Sequence, residues 1–160
     1  MKPQFVTSLS IAPGITESVL NSLRDQICLM DGTGPICFTN KEWEQFALRN
    51  GGTLSSCGIG ANYLQQCKIE PVVYEGLQAV LAGESDVFNF EYPCHSPSIR
   101  RWFLMQATPL QANDEAVEGV VIRHVDITKQ KLLELQLKEH AEKDPLTSLF
   151  NRRYFEEQLT

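Results

Sequence analysis

The apolar positions fall into short elements of alternating kind. Val19, Leu20 and Leu23 share one helical face behind Thr16, a good first cap, and predict a helix over 16–24. Residues 26–30 read as a strand, Asp31-Gly-Thr-Gly34 as a turn whose glycines supply positive φ, and 35–39 as the returning strand of a hairpin. Asn40 is a suitable N-cap for a helix over 41–50, with Glu42 and Glu44 where the helix dipole favours negative charge. Trp43, Phe46 and Ala47 give that helix one apolar face, and Gly51-Gly52 stops it. Residues 53–67 read as loop and single helical turns. Pro71 opens a further helix carrying Val73, Leu77, Val80 and Leu81 on one side, and Gly83 closes it.

From Val87 the period falls to two. Phe88, Phe90 and Tyr92 alternate with Asn89 and Glu91 in a half-buried strand, and 93–97 turns the chain. A long strand over 101–108, a polar loop over 111–118 and a last strand over 119–125 follow. On that last strand Val120, Ile122 and His124 share a face. Strands at both ends with helices between them predict an α+β fold, one five-stranded antiparallel sheet with helices on one face. A small interior space between sheet and helices is expected to hold a ligand. From Thr128 to Lys143 the pattern is helical again, with Glu134→Lys138 and Glu139→Lys143 in the favourable order. Its stripe 130, 133, 137, 140 has coiled-coil spacing, although Gln130 and His140 are two of the four members.

Composition narrows the classes. With 42% apolar and 21% charged residues the chain is too apolar for a disordered one, and no apolar run is long enough to span a membrane. The first residues lack the apolar stretch of a secretory signal. A net charge of −6 argues against nucleic acid as a partner. Residues 1–127 hold 8 basic and 14 acidic residues while 128–160 hold 6 of each, which hints at a boundary near Asp126. The five cysteines are odd in number and form no C-x-x-C, so a reduced, cytoplasmic protein is expected, with Cys28 and Cys37 acting as small hydrophobes in apolar runs. His95, His124 and His140 share no ligand spacing with the cysteines, and no metal site is expected.

The element order, Asp31-Gly-Thr-Gly34 in the first hairpin and Val125-Asp-Ile-Thr128 after the last strand together resemble a PAS sensor domain over roughly 20–128. Asp126-Ile127-Thr128 matches the triplet with which many PAS domains hand over to an output helix. Gly60-Ala-Asn-Tyr-Leu64 and the run from Tyr92 to Leu104 resemble one bacterial PAS subgroup. Asp144-Pro-Leu-Thr-Ser-Leu-Phe-Asn-Arg-Arg153 resembles the opening of GGDEF (diguanylate cyclase) domains, with Ser148 in place of the usual glycine. The resemblances imply a lead-in over 1–19, a PAS domain over 20–128, a signalling helix over 129–143 and the start of a GGDEF domain over 144–160. The family's metal-binding aspartates and its G-G-D/E-E-F loop do not occur in this sequence, so no residue is assigned to catalysis. The implied function is sensory: a signal received by the PAS domain passes along the helix to an output domain that makes cyclic di-GMP.

The pocket candidates are Trp43, Tyr63, Leu64, Ile122 and His124, and the relay candidates are Asp126, Ile127 and Thr128. Each has a plainer reading: Trp43 as the core anchor of its helix, His124 as a hydrogen-bonded core histidine, Asp126 as an inert cap. Arg100-Arg101 read either as a solvated strand end or as a binder of an anionic ligand, and the face of Trp102 stays open. The cofactor is unknown. Haem is disfavoured because no histidine occurs from Lys68 to Asp86, and cysteine-linked flavin because Cys67 follows Leu64 rather than preceding it. The expected partners are an unidentified small molecule and a second copy, meeting through Val19–Leu23 and the 128–143 helix. The alternative is a ligand-free PAS dimerisation module.

Overall fold

The computed structural model describes residues 14–111 and 116–142; the lead-in before Gly14 and the stretch 144–153 lie outside them. In chain order the elements are α1 (Ile15–Ser22), β1 (Gln26–Asp31), β2 (Ile36–Thr39), α2 (Lys41–Arg49), α3 (Leu54–Cys57) and α4 (Tyr63–Gln66). A single 3-10 turn (Cys67–Ile69) leads to α5 (Pro71–Leu81), β3 (Phe88–Pro93), β4 (Trp102–Leu110), β5 (Gly119–Asp126) and α6 (Thr128–Glu142). The five strands form one antiparallel sheet in the order β2-β1-β5-β4-β3, so the first and last strands of the sequence are neighbours at its centre. Among the described residues the chain packs as two compact units, 14–90 with 105–111 and 116–125, and 91–104 with 126–142.

The first unit owes its core to the two periods of the sequence. β1 and β5 pair from Gln26↔His124 to Asp31↔Gly119, which sets Cys28 opposite Ile122 and Met30 opposite Val120. All six alternate residues, Gln26, Cys28, Met30, Val120, Ile122 and His124, are buried. α5 buries Val73, Leu77 and Val80 at i, i+4, i+7, and α2 buries Trp43. Fully covering a side chain such as Leu77 contributes about 1.5–3 kcal/mol. The close pairing of β1 and β5 depends on Gly119, where a Cβ would stand 2.4 Å from the Met30 carbonyl oxygen.

The first hairpin turns as its residues dictate. The Asp31 carboxylate accepts from the Thr33 hydroxyl and amide, both at 2.7 Å, and from the Gly34 amide at 3.1 Å. These bonds, that from the Thr33 hydroxyl foremost, hold its carboxyl below the ordinary value. Gly34 takes φ +115°, open to glycine alone at little cost, and a Cβ there would meet Asn62 Oδ1 at 2.6 Å. β2 starts one residue late because Pro35 has no amide to donate; Pro35 instead bridges to Asn62.

Three expectations need correction. α1 begins at Ile15 behind Gly14, so Thr16 lies inside the first turn rather than capping it. It stops at Ser22, short of Arg24, because Leu23 is extended and the Leu20 carbonyl is taken by Asn40 Nδ2. Cys37 is exposed, not part of an apolar interior: the β1–β2 register steps from Leu29↔Phe38 to Met30↔Ile36, which leaves Cys37 as the extra residue of a bulge. Glu134 pairs with Lys131 at 3.3 Å and Gln130 at 2.9 Å rather than with Lys138, whose carboxylate is Glu142 at 3.8 Å.

In the second unit the start of α6 is fastened to the start of β4. The Ile127 amide donates to the Trp102 carbonyl at 2.9 Å, and the Trp102 amide donates to Thr128 Oγ1 at 3.1 Å. Lys131 forms a close ion pair with Glu91. Along α6, Leu132, Leu133, Leu135 and Leu137 are all exposed.

Candidate functional site

The interior site begins with Asn40, which is wholly buried and bonds through both ends of its amide. Its Oδ1 accepts from the Ile27 and Trp43 amides at 3.0 Å each, and its Nδ2 donates to the carbonyls of Leu20 at 3.0 Å and Asp25 at 2.9 Å. One side chain thus fixes the end of α1, the start of β1 and the first turn of α2. From that turn Trp43 projects inward, and its Nε1 donates to the Cys57 carbonyl at 2.7 Å. Asn62 accepts from the Gln65 amide at 2.9 Å and starts α4, which brings Tyr63 to the same place.

Three rings converge there. Trp43 lies 5.8 Å from Tyr63 at 58° and 5.4 Å from His124 at 55°, both tilted contacts of the kind aromatic quadrupoles favour. Tyr63 Oη and His124 Nε2 are 3.3 Å apart. His124 is 9% exposed, and burial drives its pKa down to about 4, so the imidazole is neutral near pH 7. Nearby chemistry is subdued in the same way. Burial pushes the Cys67 thiol up to about 11, and it raises the Cys28 thiol well above its ordinary value, so neither is a nucleophile at neutral pH. A neutral imidazole and a phenol on an aromatic wall can exchange hydrogen bonds with an uncharged polar group.

Of the five pocket candidates the structure brings Trp43, Tyr63 and His124 together. Ile122 is fully buried two residues before His124 on the same face of β5. Leu64 sits beside Gly34 in the first hairpin. Among the relay candidates, Asp126 Oδ1 accepts from the Thr128 amide at 2.9 Å, Ile127 is buried, and Thr128 holds the Trp102 amide. Sequence reasoning saw Asn40 as a cap only; its reach to Leu20 and Asp25 has no periodic signal, since the partners are far apart in sequence and are backbone groups. A concavity of the first unit, about 500 Å³, lies between α1 and Ile27, Leu29, Phe38 and Val121, away from the three rings. Among the described residues no three histidine, cysteine or acidic side chains gather as a metal site, and no helix is long and apolar enough to cross a membrane.

A family model described as PAS fold matches residues 20–132. An uncharacterised 104.1 kDa protein of Rhodobacter capsulatus is 35% identical over 125 residues, which are 72% of this chain and 13% of that protein, so the chain spans a small part of its relative. Among solved structures, the PAS domain of a Colwellia psychrerythraea protein superposes with a TM-score of 0.53 at 20% identity, covering 72% of this chain and 96% of that one. An RNA-binding light-oxygen-voltage receptor superposes with a TM-score of 0.60 at 14% identity, covering 86% and 39%. At such identities the likeness is one of fold.

Proposed function

The chain belongs to the PAS fold family, and from that premise we propose that it is a sensory module that takes a small ligand beside Trp43, Tyr63 and His124 and relays its presence through α6 to a diguanylate cyclase output domain. The observation that carries the reading is the passage from β5 to α6. Asp126, Ile127 and Thr128 join the two with no glycine or serine linker, and their hydrogen bonds fasten the start of α6 to the start of β4. Fifteen residues of helix extend about 22 Å, enough to carry a rotation or shift of the root to whatever follows. The resemblance of 144–153 to a GGDEF opening supplies the output class, and with it cyclic di-GMP as the product of the longer protein. The 160 residues themselves are proposed to be non-catalytic, and the protein to act in the cytoplasm as a homodimer.

Native mass spectrometry of the purified chain tests the sensor. One small molecule retained per protomer supports it, and its absorption spectrum identifies or dismisses haem and flavin. Incubation with GTP and magnesium separates the parts: the present chain is expected to make no cyclic di-GMP, and a version extended through the following domain is expected to make it. A second reading, a ligand-free dimerisation module, is favoured by the apolar concavity against α1 and by the exposed Val19 and Leu23. A dimer that is empty in every preparation would support that reading instead.

A further inference from the structure

The second unit contains a groove of about 440 Å³ at the root of α6, within the range of small-molecule sites. One wall is Trp102. Its neighbours Phe103 and Met105 are buried, and by alternation Trp102 falls on the opposite face of β4, half-exposed. The Arg100 guanidinium lies over the indole, 5.3 Å from the ring centroid. His95 meets the same ring edge-on at 4.8 Å, and its orientation is fixed because its Nδ1 accepts from the Arg101 amide at 3.0 Å. The facing wall is helical: Lys131, Leu135 and Lys138, at i, i+4 and i+7, share one side of α6.

The charges are unequally matched. The two carboxylates of the lining, Glu91 and Glu134, are both held by Lys131. Among the described residues Lys138 reaches only Glu142, at 3.8 Å. Arg100 has no carboxylate partner among the described residues, and its guanidinium lies over the ring rather than in a salt bridge. A guanidinium so placed offers paired N–H donors to a carboxylate or phosphate, while Trp102 and Leu135 offer apolar surface to a flat ring.

We propose that this groove is a second binding site, for a planar aromatic molecule bearing a carboxylate or a phosphate. Its ring lies between Trp102 and Leu135, and its anionic group takes the Arg100 fork with Lys138 near by. The site is separate from the one beside His124, so it stands whether or not that one holds a ligand. Because one wall belongs to α6, an occupant binds the helix root and the strand end together.

The chain has two tryptophans, so its proton–nitrogen NMR spectrum shows two indole signals, which Trp102→Phe assigns. The whole chain is titrated with 2-naphthoate, with adenosine 5′-monophosphate and with uncharged 2-naphthol. The expected result is a saturable shift of the Trp102 signal by at least one of the two anions, a still Trp43 signal, and affinity at least about tenfold weaker for Arg100→Gln or for 2-naphthol. Saturation by naphthoate alone marks a carboxylate site, and by the nucleotide alone a phosphate site. No saturable shift with either anion at millimolar concentration overturns the proposal. So does a shift that Arg100→Gln leaves unchanged, or one that moves both indoles alike.

Discussion

The first unit adds to its exposed ion pairs, Arg49–Glu42 and Arg123–Asp25, a set of buried and fully matched polar groups, whereas the side-chain pairs along α6 in the second are exposed and ionic. Asn40 and His124 are buried, and among the described residues no buried side-chain nitrogen or oxygen lacks a partner. Lys131, Glu134, Lys138 and Glu142 sit on the surface of α6, where water competes for every bond. The difference separates two tasks. Buried polar networks fix one arrangement, because any alternative leaves orphaned groups at high cost. Exposed ion pairs exchange with solvent cheaply and so hold no single arrangement as firmly.

The largest effect is therefore expected at Asn40. Asn40→Ala removes four hydrogen bonds to backbone groups and leaves several of them buried without partners, a loss of about 4 kcal/mol read from urea unfolding. A loss below about 1 kcal/mol would sink the contrast between the units.

His124 comes next and gives the first unit a pH signature. The unfolded histidine takes up its proton near pH 6.5, the folded one only near 4. The unfolded state therefore binds the proton first. The contribution of a neutral His124 is complete above about pH 6.5 and is lost as pH falls toward 4, about 3 kcal/mol in all. Urea midpoints measured between pH 7 and 4 should fall steeply for the native chain and much less for His124→Gln. Equal slopes for the two proteins would assign the acid sensitivity elsewhere.

Smaller effects belong to the second unit. Thr128→Ala deletes the acceptor of the Trp102 amide and is expected to cost about 1 kcal/mol, with hydrogen exchange at Trp102 and along the first turn of α6 speeding up. Lys131→Gln should leave the thermal midpoint within measurement scatter, yet remove the salt dependence of helix-root exchange between low and high ionic strength. A clear drop in melting temperature for Lys131→Gln would mean that the ion pairs hold the fold itself.

Much of this was legible in the residues. The switch from a helical period to a period of two at Val87 located β3, and alternation put Val120, Ile122 and His124 on one face of β5, although only the structure shows that this face is the buried one. Asn40, Pro71 and Gly83 marked helix ends because capping chemistry is local. What escaped was non-local. Nothing near Thr16 tells that the Leu20 carbonyl will be claimed from α2, so the helix end was misplaced. The bulge at Cys37 depends on the register with β1, which a strand's own pattern does not carry. The meeting of Trp43 and Tyr63 needs the connection through Asn62 to fold back on the first hairpin, and Gly60-Ala-Asn-Tyr-Leu64 signalled this only as a resemblance, without a mechanism.

The bulged outer strand has one more consequence. β2 is an edge of the sheet, and edges invite other chains to add on. Here the Ile36 amide donates to the Ala61 carbonyl at 2.9 Å and its carbonyl accepts from the Gly60 amide at 2.8 Å. The adjoining residues are a proline and a bulged cysteine. Stray polypeptide thus meets a border already sewn to its own loop, too short and too crooked to seed a fibril, and the opposite border ends in Pro93.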